Sequence, residues 1–259
     1  MTTPTPDGHS GGHSDGNEPV APDGPTGRNR PLPPAVEALA EEVRVRRTDL
    51  LERVAAASHG QDVTVVAVTK AFGPEVAAAA RLAGFVDCGE NYAQELAEKA
   101  IDPVVAAAGP IEWHFIGGLQ RNKVKQLGSL VSLWQSIDRS SLVTELAKRA
   151  PGARMLVQVN TSGEDAKSGC DPDRTRELVD IAREAGLHAG GLMTVGPTPL
   201  AGETPDPRPS FEMLRRLGEQ CEVADLSMGM SGDYELALAE GATIIRVGSV
   251  LFGPRPIRR

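Results

Sequence analysis

Eight short apolar runs of β type alternate with helical segments between Val63 and Val247, and that alternation leaves few folds open. The runs are Val63–Thr69, Phe85–Cys88, Ile111–Ile116, Leu130–Ile137, Ala153–Asn160, His188–Thr194, Val223–Ser227 and Ala242–Val247. Between them, Pro74–Ala83, Asn91–Lys99, Arg139–Arg149, Pro172–Ala185 and Phe211–Cys221 carry the clearest helical periodicity. Gly84, Gly152, Gly186 and Gly241 stand where helices end, as C-cap glycines do. Eight strands and their helices in about 200 residues predict an α/β fold, a closed (β/α)8 TIM barrel. An open doubly wound sheet is the competing architecture, but no G-x-G-x-x-G follows the first strand. An extra helix precedes the barrel, with Val36, Leu39, Val43, Leu50 and Val54 on one face up to about Ala57. Residues 1–33 are Gly, Pro, Thr, Asp and Ser with almost nothing to bury, so a disordered tail is expected there and one domain over 34–259. Pro197–Pro209 is the single long insertion.

Composition removes several function classes. The formal charge is −8, and no Lys/Arg block appears outside the last few residues, so a nucleic-acid footprint is not expected. Cys88, Cys170 and Cys221 are isolated and odd in number, which fits reduced thiols of a cytosolic protein and argues against a disulfide frame or a zinc site. His9 and His13 have helical metal spacing, but their glycine- and proline-rich surroundings cannot hold a helix, so no metal site is expected. No apolar stretch approaches the roughly 20 residues of a membrane helix, and a secretory signal is not apparent.

The first run, Val63 to Lys70, is β-branched and ends on a lysine at the carboxyl end of a buried parallel strand. That is the end where such barrels collect their chemistry. The loops after strands seven and eight read Ser227-Met228-Gly229-Met230-Ser231-Gly232-Asp233 and Arg246-Val247-Gly248-Ser249. Backbone N–H groups and serine hydroxyls at such helix starts make an anion nest at the two positions where barrels bind phosphate. Barrel closure sets strand eight beside strand one, so Arg246 and Lys70 are expected at one mouth. A cation and low-polarity walls favour the neutral amine that attacks a carbonyl. Lysine, phosphate cradle and cation together point to pyridoxal phosphate. A Schiff-base aldolase acting on a phosphorylated sugar uses the same parts, with Asp87, Glu90 and Glu112 as available acids or bases.

Other polar groups gather at strand ends. Gly89-Glu90-Asn91-Tyr92 follows strand two and Trp113 to Lys123 follows strand three. His114 reads equally as a site residue and as a core histidine satisfied by a neighbour. Arg121, Lys123 and Lys125 cluster at a helix start, where cations oppose the macrodipole and an anion-binding role makes better sense. The Glu164–Gly169 loop has the polarity to cover the mouth.

These residues carry a resemblance. Val66–Lys70 (VAVTK), Gly89–Glu95 (GENYAQE), Trp113–Gln120 (WHFIGGLQ), Ser136–Arg139, Gln158–Asn160, Gly191–Met193, Leu226–Ser231 and Arg246–Gly253 fall in the order of the pyridoxal phosphate homeostasis protein family. The chain resembles those single-domain relatives of the alanine racemase N-terminal domain from about Val36 to Pro254. The resemblance implies a cofactor Schiff base on Lys70 and a phosphate held around Met230, Ser231, Gly248 and Ser249. It also implies Arg246 near the pyridine nitrogen and Asn91 and Asn160 close to the ring. Ala71-Phe72-Gly73 departs from the polar residue and second lysine that many members carry after the first. The implied role is cytoplasmic: binding pyridoxal phosphate and balancing its supply to apo enzymes, as a monomer or weak homodimer and without strong catalytic turnover. A racemase of low activity is the alternative. Racemases of this fold add a β-domain and a partner's base, and the chain is expected to lack both, since its last motif ends shortly before Arg259.

Overall fold

A computed structural model describes Met1 and residues 31–198 and 205–254. Residues 2–30, with His9 and His13, and part of the Pro197–Pro209 insertion lie outside the described residues. Eight parallel strands close into a barrel in sequence order. They are β1 Thr64–Val68, β2 Asp87–Glu90, β3 Glu112–Phe115, β4 Val131–Ile137, β5 Arg154–Gln158, β6 His188–Met193, β7 Asp225–Met230 and β8 Ile244–Val247. Closure pairs β1 with β8, with Val66 opposite Arg246.

The helices are α1 Pro34–Ala57, α2 Pro74–Leu82, α3 Ala93–Ala100, α4 Pro103–Ala108, α5 Arg121–Leu127, α6 Ser140–Arg149, α7 Thr175–Glu184, α8 Arg208–Cys221, α9 Tyr234–Ala239 and α10 Ser249–Phe252. α1 is the extra helix. It buries Val36, Ala40, Val43, Leu50 and Val54 against α2, α9 and α10. α2 begins with Pro74 in its first turn and buries Ala77 to Ala80, side chains small enough for close helix approach. The four glycines expected to end helices all have positive φ. α4 is not among the helices expected from periodicity. Asp102 caps it by accepting from the Val104 N–H at 2.8 Å, and Pro103 opens its first turn.

Two apolar layers result. A large outer core lies between strands and helices, with Trp134, Phe115, Phe211 and Leu146 fully buried. Inside the barrel a small cluster of Val66, Leu133, Leu156, Met193 and Ile244 fills the middle. The strand period of two carries the inward set of β1 from Val66 through Val68 to Lys70, and that of β8 from Ile244 through Arg246 to Gly248. Parity therefore turns Lys70 and Arg246 inward, and the parallel direction of β1 and β8 carries both toward the carboxyl end of the barrel.

Candidate functional site

At the carboxyl end of the barrel lies a cavity of about 340 Å³ whose lining includes Lys70, Asn91, Met230, Ser231, Arg246, Gly248 and Ser249. Seven of the eight residues named from the sequence thus meet in one place, and Val68, Phe72, Ile116, Val195 and Gly232 complete the wall. A wider groove of about 630 Å³ opens beside it between α3 and α5, sharing Asn91 and lined by Lys123. The smaller cavity is the candidate site, because it alone of the two brings together an amine, a guanidinium and the glycine–serine loops.

The backbone turns sharply once Lys70 has been presented. Ala71 takes φ +68°, a left-handed conformation that costs an alanine about 1–2 kcal/mol. Its N–H donates to Glu95 Oε2 at 2.9 Å, which helps hold the turn. Phe72 then packs edge-on against Phe252 of α10, with ring centroids 5.8 Å apart. On the far wall, the Gly248 N–H donates to Ser231 Oγ at 3.1 Å, tying the two glycine–serine loops together. A Cβ on Gly248 would stand 3.1 Å from the Val68 carbonyl oxygen, so glycine is what lets this loop lie against β1.

Arg246 is buried at the floor of the cavity. Its Nη1 donates to Ser227 Oγ at 2.6 Å and its Nη2 to the Thr194 carbonyl at 2.7 Å. Burial pulls the guanidinium down to about 10, with Asp233 acting in the other direction. It stays cationic at neutral pH. Among the described residues that line the cavity there are two side chains of positive type and no carboxylate. In a chain of net charge −8 that is a local reversal of sign, and it fits an anion. Hydroxyls, N–H groups and cations are the donor set a phosphate monoester takes.

Asn160 does not line the cavity. Its Nδ2 donates to the Glu164 carbonyl at 3.0 Å, and its Oδ1 accepts from Ser162 Oγ and the Gly163 N–H, both at 3.2 Å. The side chain is spent on folding its own loop. That loop is pinned sideways: Lys167 donates to the Gly196 carbonyl, and Glu164 accepts from the Thr198 N–H at 2.9 Å. Lys167, whose Nζ also lies 2.8 Å from Glu164 Oε1, and the Thr198 N–H hold the Glu164 carboxyl down at about 2.

The acids expected at the mouth for aldolase chemistry are not there. Asp87 and Glu112 begin β2 and β3, at the opposite end of the barrel. Glu90 does end β2, but it is fully buried and accepts from Thr69 Oγ1 at 2.6 Å and from Lys99 Nζ. Burial holds its carboxyl above the ordinary value, against the pull of Lys99 and Thr69. Lys99, 3 % exposed, also donates to the Thr69 carbonyl at 2.8 Å, directly behind Lys70. This ion pair was not expected from the sequence. Its signal is positional, since Lys99 shares the buried face of α3 with Ala93 and Leu96.

His114 is a barrel-interior residue bonded to Asp87 and Gln135. Of the basic cluster, Lys123 faces the wider groove and Arg121 lies 3.7 Å from Glu145. The three cysteines are free thiols, and among the described residues no group of His, Cys, Asp and Glu could hold a metal ion.

Comparison with known proteins agrees with this geometry. The family model described as alanine racemase, N-terminal domain, matches residues 49–256. A pyridoxal phosphate homeostasis protein of Aquifex aeolicus is 38% identical over 204 residues, covering 74% of this chain and 86% of that protein. One of Pseudomonas aeruginosa is 37% identical over 213 residues, covering 78% and 90%. Among solved structures, PipY of Synechococcus elongatus with PLP bound superposes with a TM-score of 0.65 at 30% identity, covering 78% of this chain and 99% of PipY.

Proposed function

This chain belongs to the pyridoxal phosphate homeostasis protein family, built on the alanine racemase N-terminal domain, and from that premise we propose that it binds pyridoxal 5'-phosphate and serves its intracellular supply. The observation that carries the reading is the cavity itself, where Lys70, Arg246 and two serine–glycine loops converge and where none of the described lining residues is a carboxylate. When bound, the cofactor brings an aldehyde that condenses with an amine, a phosphate, and a ring nitrogen through which electrons are withdrawn.

Lys70 is the residue that takes the aldehyde. Ser231, Gly248 and Ser249, with the Met230 backbone, hold the phosphate, and Asn91 borders the ring. Asn160 acts at one remove by shaping the loop beside it. Arg246, whose remaining donors face the cavity, would be the residue beside the ring nitrogen. A guanidinium has five N–H donors and no acceptor, so it cannot take up a pyridinium proton, and its charge disfavours one beside it. A ring nitrogen held this way is a weak electron sink. That favours a carrier of the cofactor over an efficient racemase.

Apo enzymes that require the cofactor are the recipients in this reading, the setting is the cytoplasm, and the chain acts as a monomer or weak homodimer without nucleic acid or membrane. Among the described residues no helix is long and apolar enough to cross a membrane.

The test is the absorption spectrum of the purified protein before and after borohydride, followed by peptide mapping. A visible band that bleaches, with the label on Lys70, is the expected result. A label on Lys123 or Lys125 overturns the assignment. Removing one phosphate donor has a smaller, calculable effect. A charge-assisted hydrogen bond is worth about 1.5–3 kcal/mol, so Ser249→Ala is expected to weaken cofactor binding roughly ten- to a hundredfold. Equilibrium titration of the Ser231→Ala and Ser249→Ala proteins measures it, and unchanged affinity in both places the phosphate elsewhere.

A further inference from the structure

A polar chain crosses the apolar interior of the barrel from the candidate site to the opposite rim. Arg246 donates to Ser227 Oγ at 2.6 Å, and Ser227 lies 2.6 Å from Gln135 Oε1. Gln135 Nε2 lies 2.7 Å from His114 Nδ1, and His114 Nε2 lies 3.0 Å from Asp87 Oδ1 at the start of β2. Arg246, Ser227, Gln135 and His114 are all buried, while the Asp87 side chain is about a third exposed. The five residues come from β8, β7, β4, β3 and β2, and Val66, Leu133, Leu156, Met193 and Ile244 fill the interior around them.

The direction of every link follows from one end. A guanidinium can only donate, so the Ser227 oxygen accepts from it and the Ser227 hydrogen points at Gln135 Oε1. The Gln135 amide is thereby oriented with its NH2 toward His114. Nδ1 of His114 has to accept, which leaves the ring hydrogen on Nε2, donating to Asp87. Turning the Gln135 amide over would give Ser227 Oγ two donors, leave its own hydrogen without an acceptor, and call for a proton on Nδ1. In a buried site each of those is unfavourable.

We propose that Ser227 and Gln135 are positioning residues for the cofactor's ring nitrogen, with His114 and Asp87 fixing the polarity of the chain that holds Arg246. The proposal rests on the cofactor reading given above. Two N–H groups of Arg246 are committed to Ser227 and Thr194, which sets the plane of the guanidinium and leaves its other donors for the cavity that it lines. The relay does this without a neutralising contact. A carboxylate at position 227, the position that touches the guanidinium, would also accept from the arginine but would neutralise its charge. Among the described residues Arg246 is in no ion pair, and the nearest carboxylate along the chain, Asp87, stands four links away. The interior thus supplies neutral acceptors to Arg246, and Asp233 acts on the guanidinium without an ion pair among the described residues, so the cation faces the cavity unpaired by the relay.

Two measurements test this. First, nitrogen-15 NMR of the full-length protein without cofactor reads the His114 tautomer. The neutral form with hydrogen on Nε2 is expected, and hydrogen on Nδ1 overturns the direction of the relay. Second, affinity is compared between pyridoxal phosphate and its 1-deaza analogue, which keeps the aldehyde and phosphate but has C–H in place of the ring nitrogen. The native chain is expected to prefer pyridoxal phosphate by about tenfold, the effect of one hydrogen bond. Gln135→Met, close in volume but unable to relay, is expected to bring that preference to within about twofold. Ser227→Ala provides the same test should Gln135→Met fold poorly. A merely structural role lowers the melting temperature and leaves the preference intact, and that result overturns the proposal. Equal affinity of the native chain for both ligands overturns the relay alone, whereas binding of neither overturns the cofactor reading and the ring-directed role with it.

Discussion

Lys70→Ala is expected to leave the protein folded, with no covalently retained cofactor after gel filtration. Lys70 lies just past the end of β1, half-buried at the cavity wall, above the inner layer of Val66, Leu133, Leu156, Met193 and Ile244. Truncating it opens no void in that layer, so the change in stability should stay within about 1 kcal/mol. The phosphate donors and Arg246 remain, and weak, reversible binding of the cofactor should survive. Lys99 cannot substitute, because its Nζ is held between the Thr69 carbonyl and Glu90 in a buried pocket. Absorbance of the desalted protein and the melting temperature without cofactor separate the two effects. A mutant that keeps the visible band through desalting would show that another amine carries the cofactor.

The fold was legible in the sequence because parallel strands buried on both faces read as continuous apolar runs, and all eight appear with ends moved by a few residues. Those small moves matter most at the site. Reading the second strand as Phe85–Cys88 puts Asp87 near its carboxyl end. The observed β2, Asp87–Glu90, starts there instead, and the carboxylate goes to the other rim. Strand direction alone placed Lys70, Arg246 and the two glycine–serine loops correctly, since each sits at or beyond the end of its run. Asn160 follows the same rule and still turns away. An asparagine in a loop has local backbone partners that compete with any cavity, and strand periodicity carries no information about them. The interior relay was legible in principle. His114, Gln135, Ser227 and Arg246 are the polar interruptions at inward parity in β3, β4, β7 and β8, but only the barrel's closure shows that they touch.

Lys99→Met is expected to be the most destabilising substitution near the site, at about 3–5 kcal/mol near neutral pH, because it leaves the Glu90 carboxylate buried without its cation. Glu90 is fully buried, and among the described residues its Oε2 has no hydrogen-bond partner, so only Thr69 Oγ1 would remain to support the charge. The pH dependence identifies the origin. Burial already raises the Glu90 carboxyl above the ordinary 4.5, and removing Lys99 raises it further in the folded state only. Below about 4.5 both folded and unfolded chains hold the proton, and the charge penalty is absent. As pH rises the unfolded chain releases its proton first, the folded native protein next and the folded mutant last, so once pH passes the native carboxyl's raised value the mutant loses stability progressively relative to the native protein. Urea unfolding at neutral pH and near pH 4 should therefore give a large and a small difference, respectively. A loss independent of pH would assign it to packing instead. Adding Glu90→Leu should recover most of the stability, since an apolar pair replaces a buried ionic one at little or no cost. Because Lys99 also anchors the Thr69 carbonyl, the residue just before Lys70, the double mutant should still bind the cofactor less tightly than the native chain. The buried pair then serves less as a source of stability than as the mount that fixes where β1 ends and how Lys70 is offered to the cavity.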